Sequence, residues 1–341
     1  MSFPERPLSE IFGHAKEIAA LRTIVGQGLN SASFLLWGPE GVGKKTVATA
    51  LSRDFLCVSA GLEGACGGCE SCRTSLWGHP DFRFLDSGEE LSIGIDRVRE
   101  FLEETREMPL LSPLRVGIVD QAHRLTPEAA NSLLKSVEEP PGTMLFFFIT
   151  SLPDRLLPTL RSRLLEVRFK PLPEEILAQM ALRDFNGRPE EEIRDAVILA
   201  GGSVTRLYEL MNSTFREGQE KIRKFLESVR PDRNYDQTTI ADSWPFLSEK
   251  EGFDQFLDSI ERLLLSCERS LAGGDADHSW SGSSLPGEYA HGMADFRRAQ
   301  LHDRIGEMRR LMVHNINRGL ALEQFLWHLD SSFHSGPAEK Q

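Results

Sequence analysis

Residues 38–45 read Gly-Pro-Glu-Gly-Val-Gly-Lys-Lys, "GPEGVGKK", directly after the apolar run "FLLW" at 34–37. The stretch follows the phosphate-loop pattern G-x-x-x-x-G-K-[ST] up to its last place, where Lys45 stands instead of the hydroxyl residue that holds magnesium. Gly38, Gly41 and Gly43 let backbone N–H groups turn toward a phosphate chain, and Lys44 reaches the terminal phosphates. Sliding the register so that Thr46 becomes the hydroxyl ligand does not help, because Lys44 and Pro39 then fall in glycine places. The loop keeps its form and lacks its metal ligand. An ordinary strand-to-helix turn containing glycine is the competing reading.

Working outward, "KKTVATALSRDFLC" at 44–57 carries apolar residues at helical spacing. A second apolar run, Val116 to Val119, ends on Asp120, and a third, Leu145 to Ile149, ends on Thr150. Between them Thr126, Pro127 and Glu128 supply an N-cap, a first-turn proline and an early carboxylate for a helix through "AANSLLKSVEE". Alternating apolar strands and helices predict an α/β fold with a parallel sheet covered on both faces. Ligands bind at the carboxyl ends of such strands, where Gly38, Asp120 and Thr150 sit. Asp120 is in position to hold magnesium through water. Hydrolysing enzymes place a glutamate base next, but here stands Gln121, whose amide cannot take a proton from water. An aspartate that only caps a helix is the alternative.

Cys57, Cys66, Cys69 and Cys72 form C-x8-C-x2-C-x2-C. Two C-x-x-C steps let thiolates converge on a tetrahedral ion, and a four-thiolate shell is closed to substrate, which predicts a structural zinc module at 57–72. An iron–sulfur cluster and free thiols are the competing readings. Cys267 stands alone on an apolar helical face and reads as core. Arg161, Ser162 and Arg163 follow the third strand, where an arginine either projects onto a neighbour's phosphate or pairs with this chain's own carboxylates. Arg206, in "GGSVTRLYEL", carries the same ambiguity.

The chain has 341 residues, 39 basic and 51 acidic, for a net charge of −12. Such a surface repels nucleic acid as a whole, so DNA contact must be local or delegated to a partner. No secretory core and no run of about 18 apolar residues occurs, which predicts a cytoplasmic protein with no membrane contact. Neither H-E-x-x-H nor G-x-S-x-G is present. Pro171 and Pro173 mark a linker, after which the pattern is helical, and residues 271–288 read as a flexible loop. An active magnesium-dependent motor and an unrelated zinc-bearing DNA-binding module are two further functional readings. The acidic balance argues against the second.

Together "IFGH", the phosphate loop, the four-cysteine insertion, "VDQAHRLTPEAANSLLKSVEEPP", "RSR", "GGSVTRLYEL" and "NINRGLALEQFLWHL" resemble the bacterial clamp-loader family of AAA+ proteins over nearly the whole chain. The resemblance implies an AAA+ P-loop core with the zinc module at 1–170, a small helical lid at 171–212, an all-α collar domain at 213–336 and a tail at 337–341. It implies a hetero-pentamer with gamma/tau-like motor subunits and a delta subunit, acting through the complex on a sliding clamp and primed DNA during replication. Motor subunits of the family carry threonine after the loop lysine and glutamate after the strand aspartate. Lys45 and Gln121 therefore imply a stator-like subunit in which ATP and magnesium bind weakly or not at all. By the same resemblance Arg163 is a trans-acting arginine finger, Thr150 the sensor residue and Arg206 the lid sensor. Leu164 replaces the family cysteine after Arg163. The alternative within the family is an ATP-hydrolysing gamma/tau-like motor.

Overall fold

The computed structural model describes residues 6–26, 31–61, 64–88, 90–105, 108–140, 142–211, 222, 224, 250–271, 295–312, 320–321 and 324–325. Five strands make one sheet: β1 (Ser31–Trp37), β2 (Phe82–Leu85), β3 (Arg115–Val119), β4 (Met144–Thr150) and β5 (Leu165–Arg168). Their order is β2-β3-β4-β1-β5, and every neighbouring pair is parallel. This is the parallel sheet that the strand–helix alternation predicts, and it is the arrangement of a P-loop AAA+ core.

Strand periodicity of two sorts the apolar side chains onto two faces. Phe34, Leu36, Val116, Ile118, Leu145, Phe147 and Ile149 pack with Leu21 of α1 (Ala15–Gly26) and with Val47 and Leu51 of α2 (Lys44–Leu56). Leu35, Val119, Phe146 and Phe148 pack on the other face with α4 (Ile95–Thr105) and α5 (Pro127–Glu138), α3 being the short helix Glu70–Arg73. Thr126 caps α5, its hydroxyl accepting from the Ala129 amide, with Pro127 at the first helical place. Two strands, β2 and β5, lie at the sheet's edges and have no counterpart in the sequence reading.

The chain divides into two compact units, Met1–Met180 with Gly201–Arg206, and Ala181–Ala200 with Leu207–Gln341. The first holds the sheet, α1 to α5, α6 (Pro158–Arg161) and most of α7 (Glu174–Asp184). The described elements of the second are helical: α8 (Glu190–Ala200), most of α9 (Val204–Leu210), α10 (Lys250–Leu271) and α11 (Asp295–Met312). Phe253, Phe256, Ile260 and Cys267 are buried there, and Arg309 of α11 pairs with Asp258 and Glu261 of α10. The loop expected at 271–288 lies, from 272 onward, outside the described residues, as do the tail and most of the expected last helix. No helix among the described residues is long and apolar enough to cross a membrane.

Candidate functional site: a phosphate loop closed by its own cations

The loop joins β1 to α2. Gly38, Gly41 and Gly43 take φ values of 151°, 75° and 103°, all on the side of the map that glycine tolerates. At Gly38 a side chain has no room either, since a Cβ there would lie 2.1 Å from the Phe169 carbonyl oxygen. Gly43 caps α2 with no side chain, so the first-turn amides of the helix face the loop. His14 Nε2 donates to the Val42 carbonyl at 2.7 Å, with its ring 4.7 Å from that of Phe169. The amides of Val204 and Thr205 donate to the Gly41 carbonyl at 2.8 and 3.2 Å. The loop is held from several sides without a ligand.

Lys44 is buried, and its ammonium donates to the carbonyls of Gly38 and Pro39 at 2.8 and 2.5 Å. Burial pulls its pKa down to about 8 against the opposing fields of Glu40 and Asp120. Lys45 turns the other way. Its Nζ lies 3.1 Å from Asp120 Oδ2 and 4.4 Å from the centre of the Phe84 ring. Thr46 is exposed on the first turn of α2.

Asp120 leaves β3 toward the same space, and its Oδ1 accepts from the Gln121 amide at 2.9 Å. Gln121 adopts φ 51°, and its side-chain oxygen accepts from Ser87 at 3.1 Å, while Ser87 in turn accepts from Arg124 at 2.9 Å. Thr150, at the end of β4 and level with Trp37 of β1, is buried. Its hydroxyl lies 3.0 Å from His123 Nδ1 and accepts from the Leu152 amide at 3.0 Å. Burial pushes the His123 pKa down, which keeps the ring neutral. The structure thus brings Gly38, Lys44, Lys45, Asp120, Gln121 and Thr150 to the carboxyl ends of the inner strands β1, β3 and β4. Arg206 lies in the first turns of α9, its amide donating to Ser203 Oγ at 3.3 Å.

Arg163 follows α6 at the protein surface. Its guanidinium is held by the carboxylate of Glu138, at the end of α5, and by the Thr159 carbonyl at 2.8 Å. Arg161 pairs with Glu166 and Asp154 at 2.7 and 2.8 Å. Glu138, His123, Ser87 and Phe84 belong to no motif whose pattern marks them in the sequence. His14 ends the stretch "IFGH", whose pattern alone assigns it no contact with the loop.

The four cysteines converge. Their sulfurs all lie within 4.8 Å of one another, with Cys57–Cys69 and Cys66–Cys72 separations of 3.9 Å. A tetrahedral thiolate shell with metal–sulfur bonds of about 2.3 Å has edges of about 3.8 Å, so the donor set fits a metal ion. The amides of Ser59 and Cys66 donate to Cys57 Sγ, those of Gly68 and Cys69 to Cys66 Sγ, and that of Cys72 to Cys69 Sγ. Amide donation, first from Cys72, brings Cys69 down to about 6, and donation from Gly68 and Cys69 lowers Cys66. Burial raises Cys57 and takes Cys72 up to about 12.

Behind this module Asp81 N–H donates to His79 Nδ1 at 3.0 Å, which leaves the proton of the neutral ring on Nε2, 3.0 Å from Ser71 Oγ. The Ser71 hydroxyl in turn donates a hydrogen bond to the Leu56 carbonyl at 2.8 Å. Asp81 accepts from the amides of Leu110, Leu111 and Ser112 at 2.7 to 2.9 Å. A buried chain of polar groups therefore fixes α3 against α2, β2 and the 110–112 loop.

A protein-family profile described as "DNA polymerase III, delta subunit" matches residues 13–173. The DNA polymerase III subunit delta' of Pseudomonas aeruginosa is 30% identical over 236 residues, 68% of this chain and 71% of that one. The DNA polymerase III subunit gamma/tau of Mycobacterium tuberculosis is 34% identical over 209 residues, but the match spans 59% of this chain and only 36% of that longer protein. Among solved structures, a DNA polymerase III gamma subunit-related protein from Thermotoga maritima aligns with a TM-score of 0.51 at 18% identity, covering 93% of this chain and 100% of that one. That likeness carries the fold.

Proposed function

Because this chain belongs to the delta' family of DNA polymerase III subunits, a component of the clamp loader, we propose that it is the complex's stator-like subunit, without ATP hydrolysis of its own. It assembles with gamma/tau-like motors and delta in a hetero-pentamer, in the cytoplasm, and helps to load a sliding clamp on primed DNA. The core at 1–170, lid at 171–212 and collar at 213–336 are the domains assigned to this work. Arg163 is the group it offers to the phosphates of an adjacent motor. Thr150 and Arg206 take the sensor places of a site that keeps its loop and binds nucleotide weakly or not at all.

The observation that carries the reading is at Gln121. The residue after the strand aspartate is an amide, and its oxygen is already engaged by Ser87. It has neither the basicity nor the freedom to activate water. Zinc is the ion assigned to Cys57, Cys66, Cys69 and Cys72, because four sulfur donors around a closed tetrahedron suit it and leave no open position for catalysis. Its role is to hold the 57–72 insertion against the core.

The test is reconstitution with the motor and delta subunits. The chain alone should show no ATPase above that of its Lys44→Ala variant. Arg163→Ala should assemble normally and lower the DNA-stimulated ATPase of the complex. Turnover by the isolated chain, abolished by Lys44→Ala, would return the motor reading.

A further inference from the structure

The residue after the loop lysine is the one that puts an oxygen on magnesium in nucleotide-binding loops of this pattern. Here that place holds a cation instead of a ligand for one. Lys45 Nζ stands 3.1 Å from Asp120 Oδ2, the carboxylate that ends β3, and both side chains are largely shielded from solvent, at 18% and 14% exposed. Phe84 of β2 closes the ammonium from another side, its ring centre 4.4 Å away. The far side of Asp120 is also used, since Oδ1 accepts from the Gln121 amide. A divalent ion entering here would have to part Lys45 from a shielded carboxylate and an aromatic face, and would find no hydroxyl to replace them. Magnesium does not fit this site.

The anion-binding half of the loop is intact, however. Gly38, Gly41 and Gly43 all take positive φ, α2 opens with no capping side chain, and Lys44 sits on two loop carbonyls that a phosphate oxygen can replace as acceptor. We propose that Lys45 is a built-in substitute for magnesium, so that this loop takes the phosphate chain of a nucleoside di- or triphosphate without a divalent cation. The inference rests on the reading of the loop as a nucleotide site. It is independent of assembly with motor subunits.

The experiment is calorimetric titration of the full chain with ATP in EDTA and in excess magnesium. The expected result is an affinity in EDTA equal to or tighter than that in magnesium. Lys45→Thr should reverse the order, making magnesium strengthen binding by about tenfold or more, while Lys45→Arg, which keeps the charge, should behave as the parent. Manganese relaxation gives a second readout: with ATP present, Lys45→Thr should immobilise more Mn2+ than the parent. Binding by the parent that is about tenfold tighter in magnesium, or absent in both conditions, overturns the proposal. Should Lys45→Thr not fold, the parent and Lys45→Arg titrations decide it alone. Normal clamp-loader assembly with failed ATP binding would remove this inference and leave the proposed function standing; the converse would do the opposite.

Discussion

Arg163 and Glu138 hold each other across the gap between α6 and α5, so the arginine assigned to a neighbour's phosphates is paired, in the isolated chain, with a carboxylate of its own. Both side chains are well exposed, at 38% and 46%. Exposed ion pairs are worth only about 0–1 kcal/mol, so Glu138 orients Arg163 at little cost to its release. Glu138→Gln should therefore leave the melting temperature almost unchanged and keep the ATPase of the reconstituted complex within about twofold of the parent's. Arg163→Ala should lower it by about tenfold or more, because a trans-acting arginine acts on the transition state. Equal ATPase in the parent and Arg163→Ala complexes would dismiss the finger.

The cysteine module should carry about one zinc per chain by elemental analysis. Cys69→Ala removes the thiol that amide donation holds nearest to its thiolate form, at about 6. Metal content should drop to near zero, and the melting temperature should fall, because binding to a folded site contributes directly to folding. Cys267→Ala, distant in sequence and buried in α10, should leave the zinc content unchanged.

His79 makes folding sensitive to acid. Its ring is buried, and burial, aided by Arg53 and Arg83 and opposed by Asp81, lowers its pKa below the ordinary 6.5. Between the folded pKa and 6.5 the unfolded chain binds a proton that the folded chain does not, so stability rises with pH across that window. His79 thus contributes fully above 6.5, and the contribution is lost as pH falls below it. Protonation also converts Nδ1 from an acceptor to a donor facing Asp81 N–H. His79→Gln should flatten the fall in melting temperature as pH drops below 6.5 while lowering the value at neutral pH by about 2–4 °C per kcal/mol of lost hydrogen bonding.

The sequence carried the central strands plainly, and the edges poorly. β1, β3 and β4 are apolar runs because both of their faces are covered; all seven residues of β4 are buried. β5, "LEVR", is mostly exposed at the sheet's margin and offers no apolar run to read. β2, "FRFL", has only four residues. At the site, spacing located Gly38, Asp120 and Thr150, because the carboxyl ends of parallel strands collect them. It could not say that Lys45 pairs with the Asp120 carboxylate. That pairing joins positions 45 and 120, and only the folded sheet brings them within 3.1 Å. Glu138 and His123 escaped for the same reason.

Lys44 should show two opposite pH dependences. Burial brings its pKa from 10.5 to about 8. Between these values the unfolded chain keeps a proton that the folded chain has released, so folding stability gains with pH from about 8 to 10.5. Phosphate binding needs the ammonium, so affinity for ATP or inorganic pyrophosphate should decline once pH passes about 8. Lys44→Met should remove both trends, abolishing the gain in stability and leaving only weak, pH-flat binding to the loop amides. Tracking chemical denaturation and ligand titration over the same pH series separates the two. If both curves moved in the same direction in the parent, the buried ammonium would not be the group responsible, and the loop's anion affinity would have to come from its backbone alone.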